Sequence, residues 1–67
     1  MNEVSSSVWS GKYLVALEGV GPIPEGTMVY CFIDYGDWFK VLTREIILGV
    51  NEFKLDPVHR VKFRLLS

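Results

Sequence analysis

Cysteine and histidine each occur once in this chain of 67 residues, as Cys31 and His59. One thiol closes no internal disulfide, and one thiol with one imidazole falls short of a structural zinc site. Small secreted domains usually depend on such staples. The expectation is therefore a reducing, cytoplasmic setting, with stability drawn from packing or from a second copy. Long apolar runs are also missing. The longest uncharged apolar stretch, Gly26 to Ile33, is far below the roughly 20 residues a membrane helix takes. Met1 to Ser7 has neither the basic start nor the apolar run of a signal peptide. No membrane association is expected.

A large charge excess of one sign is lacking as well. The net charge is −1, whereas a strongly basic nucleic-acid binder carries a marked positive excess. The balance is uneven along the chain. Residues 1–37 hold five acids (Glu3, Glu18, Glu25, Asp34, Asp37) against Lys12, and residues 38–67 hold six bases against Glu45, Glu52 and Asp56. The ingredients of catalysis are sparse too. A nucleophile needs a base in reach and the base needs an orienting group. Cys31 lies in the most apolar segment, where a thiol stays neutral, and His59 lies in a loop just after Pro57. Gly19-Val20-Gly21 is followed by Pro22, so it cannot open the helix of a phosphate-binding loop. Asp34 and Asp37 are too few oxygen donors for a hard cation. Neither an enzyme, a cofactor nor a metal is expected.

What the chain does have is apolar and aromatic mass. Hydrophobic residues make up 49% and aromatics 13%, enough to exclude global disorder. The length allows one domain, expected at residues 9–67 behind a flexible, serine-rich lead-in at 1–8. Lys12 to Leu17 reads as a first strand between glycines. Glu18 to Gly26 holds three glycines and two prolines in nine residues, which excludes a regular element and makes a long loop with Ile23 as its apolar anchor. Thr27 to Ile33 is nearly continuously apolar, the pattern of a central strand covered on both faces. Asp34-Tyr35-Gly36-Asp37 is a tight turn, with Gly36 supplying a left-handed residue and Asp34 capping.

In Trp38 to Thr43, Phe39, Val41 and Thr43 share one face and Trp38, Lys40 and Leu42 the other. Arg44 to Val50 favours a strand. Asn51 to Pro57 reads as a turn or a 3-10 helix with Phe53 and Leu55 tucked inward. Arg60 to Leu66 alternates cleanly, with Val61, Phe63 and Leu65 on one face and Arg60, Lys62 and Arg64 on the other.

Five strands, a long first loop, tight later turns and a 3-10 turn before the last strand resemble the small SH3-like β-barrel. This all-β resemblance covers residues 9–66 and implies closure into a barrel, which removes sheet edges. Within it, Val29 to Asp37 resembles the strand and turn of Tudor domains, apolar residues followed by Asp-Tyr-Gly-Asn. That resemblance implies an aromatic cage for methylated side chains, with Tyr35 as one wall and Trp9 or Tyr13 as another. Asp37 stands where the methylarginine readers carry Asn.

Trp9, Tyr13, Tyr30, Tyr35 and Trp38 are too many aromatics to bury in so small a domain, and rings left at the surface cradle cations or stack on prolines. The leading expectation is a non-catalytic module that binds a protein or peptide. Its site would be the loop Gly19 to Gly26 beside the hairpin Asp34 to Trp38. Tyr35 and Trp38 would be anchors there, and Glu18, Glu25, Asp34 and Asp37 would select a basic or proline-containing partner. One alternative is a nucleic-acid-associated barrel using Arg60, Lys62 and Arg64, which as strand neighbours would be spaced about 6.5–7 Å apart, near the phosphate repeat. Another is a small inhibitor or assembly subunit of the phage type. The apolar content also leaves room for a homodimer through an edge strand or the aromatic surface.

Overall fold

A computed structural model describes residues 9–66 of the protein. The expected lead-in at 1–8 and the final residue lie outside the described part. Five strands follow in order: β1 (Lys12–Ala16), β2 (Met28–Asp34), β3 (Phe39–Ile47), β4 (Val50–Leu55) and β5 (Phe63–Leu65), with a 3-10 helix at Pro57–Lys62. They form one antiparallel sheet in the order β4-β3-β2-β1-β5. The fold is all-β, as the alternation implies. The sheet is not closed: β4 and β5 are its two edges, and no ladder joins them. Residues 60–62, expected to open the last strand, belong instead to the 3-10 helix Pro57–Lys62. Only three residues remain for β5, and they pair with β1.

The core lies on one face of the curved sheet. Leu14 and Ala16 of β1, Val29 and Cys31 of β2, Phe39 and Val41 of β3 and Phe63 of β5 are buried. Each set has the period of two that a half-covered strand dictates. The loop between β1 and β2 contributes Ile23 and also Val20, whose backbones form a reciprocal pair of 2.9 Å hydrogen bonds. Burying a Leu, Ile or Phe side chain contributes about 1.5–3 kcal/mol, so two anchors hold this long loop down as part of the core. Phe39, Phe63 and Trp9 meet edge to face, with Trp9 5.3 Å from Phe39. Trp9 thus closes one end of the core.

Three segments differ from expectation. Arg44 to Val50, expected as a strand of its own, is not one: Arg44 to Ile47 continue β3, and Leu48-Gly49 turn the chain into β4. Residues 51–57 are mostly strand, since β4 runs to Leu55 and pairs with β3 through Lys40↔Lys54 and Val41↔Phe53. The strand expected over 60–66 is shifted, because its first half belongs to the 3-10 helix. Pro57 starts that helix, where a missing N–H costs nothing. As a result Val61 is 80% exposed and not inward.

Two irregularities in the ladders set the positions of functional side chains. Between β2 and β3 the register shifts between Cys31 and Ile33. The extra residue, Phe32, is a β-bulge, and it exchanges the faces of everything after it. Asp34, which unbroken alternation from Cys31 would turn outward, pairs with Phe39 and is 6% exposed. Between β3 and β4, Leu42↔Glu52 is followed by Ile47↔Val50, so residues 43–46 stand opposite Asn51 alone. The Thr43 hydroxyl closes this larger bulge by donating to the Glu45 carbonyl at 2.6 Å. Arg44, Glu45 and Ile46 are thereby thrown out to solvent.

Candidate functional site

At one end of the sheet the hairpin between β2 and β3 presents two stacked rings. Tyr35 and Trp38 lie 4.6 Å apart at 53°. The turn is closed by the Tyr35 N–H donating to the Trp38 carbonyl at 2.9 Å, and Gly36 supplies φ 87°. Tyr35 is 58% exposed and Trp38 half-buried. Trp38 shares the outer face of the sheet with Lys40 and Lys54, whose Nζ atoms lie 5.9 and 4.8 Å from its ring. Lys40 also pairs with Glu52 at 3.0 Å.

Asp34 holds this hairpin from beneath. Its carboxylate accepts from the Gly36 N–H at 2.9 Å, the Trp9 N–H at 3.3 Å and both terminal nitrogens of Arg60, Nη1 at 3.0 Å. The Arg60 guanidinium in turn lies 4.8 Å from the rings of Trp9 and of Phe39. Burial would raise the Asp34 pKa. The Arg60, Gly36 and Trp9 donors with the Arg60 charge outweigh that, and the carboxyl is held below the ordinary carboxylate value. Asp34 caps the turn as expected, but it is not a surface acid, because the Phe32 bulge points it inward.

The expected site also divides. The loop carrying Glu18 and Glu25 enters β2 at Met28, whereas the hairpin leaves β2 at Asp34. In a meander, successive connections lie at opposite ends of the strand they share, here seven residues long, or about 20 Å. Glu18 and Glu25 are exposed but stand at the far end from Tyr35 and Trp38. Only Asp37 remains as an exposed acid in the hairpin.

The basic triplet does not form the expected face either. Arg60 is committed to Asp34, Lys62 sits in the 3-10 helix with its carbonyl bound to the Leu17 N–H, and Arg64 alone is on β5. The rings expected to wall a cage are spread over separate contacts. Trp9 packs on Phe39 and Arg60, Tyr13 stacks on Tyr30 at 5.0 Å, and Tyr35 stacks on Trp38.

The opposite end of the sheet holds features that residue-by-residue reading missed. Pro24, Thr27, Met28 and the bulged residues Thr43 to Ile47 line an open cleft of about 390 Å³. A second recess of about 280 Å³ shares Met28, Thr43 and Arg44 and runs on to Tyr13, Tyr30 and Leu42. Beyond the cleft, Leu48-Gly49 turns β3 into β4. Leu48 is 86% exposed at φ 52°, and Ile46 and Val50 beside it are 71% and 48% exposed. The signal in the sequence was the unusual placing of Leu where two-residue hairpins prefer Asn or Asp before Gly.

Cys31 is fully buried, and burial first, with the Asp34 charge added, pushes its thiol up to about 11. The Nδ1 of His59 is buried without a hydrogen-bond partner among the described residues. No group of three or more His, Cys, Asp or Glu that could hold a metal ion occurs among the described residues. No helix among them is long and apolar enough to cross a membrane.

The fold and surfaces define a class, a small all-β domain built on one antiparallel sheet with an anchored aromatic hairpin. No family model, curated protein or solved structure matches the chain.

Proposed function

We propose that this chain is a small SH3-like, non-catalytic binding module that recognises a protein or peptide through Tyr35 and Trp38. The observation that carries this reading is a pair of rings at the surface on a hairpin fixed from below by a buried ion pair. Exposed aromatics supply large contact area, and a rigid support lowers the entropy lost on binding. The sheet order and the 3-10 turn before β5 support the SH3-like architecture, with β4 and β5 as the strands a closed barrel would bring together.

The chemistry around the rings revises the partner. Lys40 and Lys54 flank Trp38, and Asp37 is the one exposed acid of the turn. A segment with an apolar, aromatic or proline side chain laid on the rings and a carboxylate beside it fits better than a basic one. The test is selection of peptides from a random displayed library on the folded domain. Selected peptides should be rich in aromatic or proline residues with neighbouring acids, and should lose at least about tenfold in affinity when Tyr35 and Trp38 are both replaced by alanine. Glu18→Gln with Glu25→Gln should leave binding unchanged. Peptides that bind the folded double-alanine variant as well as the parent would end this reading.

A specific observation favours one other surface, the cleft at the β3 bulge. Bulges recur beside functional sites, where they re-aim side chains, and this one opens an apolar recess next to Met28 and Ile46. Peptides displaced by Met28→Glu and indifferent to Trp38→Ala would locate recognition there.

A further inference from the structure

We propose that two copies of this chain pair through β4, edge to edge and antiparallel, in a register centred on Phe53. Among the described residues, strand β4 is hydrogen-bonded on one side only, to β3, and its other side is an edge of the sheet. It runs for six residues, against three for β5 at the other edge, and it contains neither proline nor glycine. An unpaired row of backbone donors and acceptors of this length is a template for another strand. Its inward residues, Phe53 and Leu55, pack against the core yet stay only partly covered.

Charge selects both the occupant and the register. Side chains directly opposite in an antiparallel pair lie on one face, and a two-fold axis through a residue keeps both cores on the same side of the continued sheet. Centred on Glu52, such a pairing sets Glu52 against its own copy. Centred on Lys54, it sets Lys54 against its own copy. Centred on Phe53, it sets Glu52 against Lys54 of the second copy and Lys54 against Glu52, two opposite-charge pairs related by symmetry. Opposite charges across a strand pair stabilise and like charges destabilise. An edge guarded by charges of one sign repels in every register, but Glu52-Phe53-Lys54 carries both signs and is attractive to itself in this one.

The same register explains exposed residues that the monomer leaves without a role. Past the ends of the paired β4 strands it brings the Leu48-Gly49 turn of one copy near the start of the other's 3-10 helix, where Leu48 and Val58 are 86% and 68% exposed. It also joins the outer faces of both sheets, so that two Trp38 surfaces lie on one continuous face and could engage a repeated or paired target together.

The experiment is sedimentation equilibrium of the full chain from about 1 µM to about 1 mM, with circular dichroism to show that each variant is folded. The parent should dimerise within that range. Glu52→Lys and Lys54→Glu should each weaken the dimer by about tenfold or more, because each converts both attractive pairs to like-charge pairs. An equimolar mixture of these two variants should recover parent-like affinity as a heterodimer, and so should the chain carrying both exchanges. A parent that stays monomeric throughout, or single exchanges that dimerise like the parent, would overturn the proposal. A mixture that associates no better than its components would also overturn it. Peptide selection on Tyr35 and Trp38 can succeed or fail independently of all of these outcomes.

Discussion

The two ends of this sheet are built on opposite terms. At the end holding Trp9, Asp34, Phe39 and Arg60, a polar centre is satisfied from three separate parts of the chain and sealed by aromatic rings. At the end holding Pro24, Met28 and Ile46 to Val50, the strand bulges, a recess opens and apolar side chains project into solvent. The first end satisfies the rule that buried polar groups have partners. The second runs against the rule that apolar side chains leave water. In a domain of this size, where surface apolar area is lost to the core, an exposed end of this kind is the place to look for contacts with other molecules. The locked end supplies the rigidity from which Tyr35 and Trp38 are presented.

The largest expected effect breaks the locked end. Arg60→Met keeps an apolar chain beside Trp9 and Phe39 but leaves Asp34 a buried, uncompensated charge. Removing one partner of a buried pair costs about 3–5 kcal/mol, most of the stability of a small domain. Urea denaturation should therefore show Arg60→Met largely unfolded or with a strongly reduced midpoint. The surface pair Lys40–Glu52, with side chains 31% and 49% exposed, is the control, because such pairs contribute about 0–1 kcal/mol. Equal losses from Arg60→Met and Lys40→Met would remove the distinction between the two kinds of ion pair.

Acid titration reads the same lock without truncating it. The folded pKa of Asp34 lies below its ordinary value, so the folded state favours the ionised form. The resulting stability is fully present above the unfolded carboxylate value of about 3.9. It is lost as pH falls through the lower folded value. The urea midpoint of the parent should fall below about pH 4, and Asp34→Asn should be less stable at neutral pH but show a shallower acid dependence. A parallel pair of curves would mean that other carboxylates carry the acid sensitivity.

How much of this was readable in the sequence follows from where the period of two holds. Leu14, Val29, Cys31, Phe39 and Val41 announce their face by alternation, and the turn at Gly36 by its residue types. The alternation of Glu52, Phe53, Lys54 and Leu55 was equally available and marks β4. Asp56-Pro57 marks the start of the 3-10 helix, so that the misplacement of the last two elements was avoidable. The bulges are a different matter. Nothing in Cys31-Phe32-Ile33 distinguishes an extra residue from a continuous strand, yet that single residue decides whether Asp34 meets solvent or Arg60. The partnership of Asp34 with Arg60 depends on an order of strands that brings together residues 26 apart in sequence. The separation of Glu18 and Glu25 from Tyr35 was available from topology alone, since loops on either side of one strand cannot share an end.

The smallest effect sharpens the comparison at the exposed end. Leu48 occupies a left-handed backbone conformation, φ 52°, without a glycine's freedom. That conformation costs an ordinary residue about 1–2 kcal/mol, and the side chain gains nothing back by burial, being 86% exposed. Asn tolerates the same conformation and makes the Asn-Gly pair that two-residue hairpins favour. Leu48→Asn should therefore raise the thermal midpoint of the dilute monomer, by an amount corresponding to about 0.5–1 kcal/mol. The proposed edge pairing gives the exposed Leu48 a role, because it brings the Leu48-Gly49 turn of one copy near the start of the other's 3-10 helix at Val58. The same substitution should then weaken self-association while it strengthens the fold. A variant that is more stable and dimerises unchanged would separate the tip from the interface and return it to the cleft beside Met28.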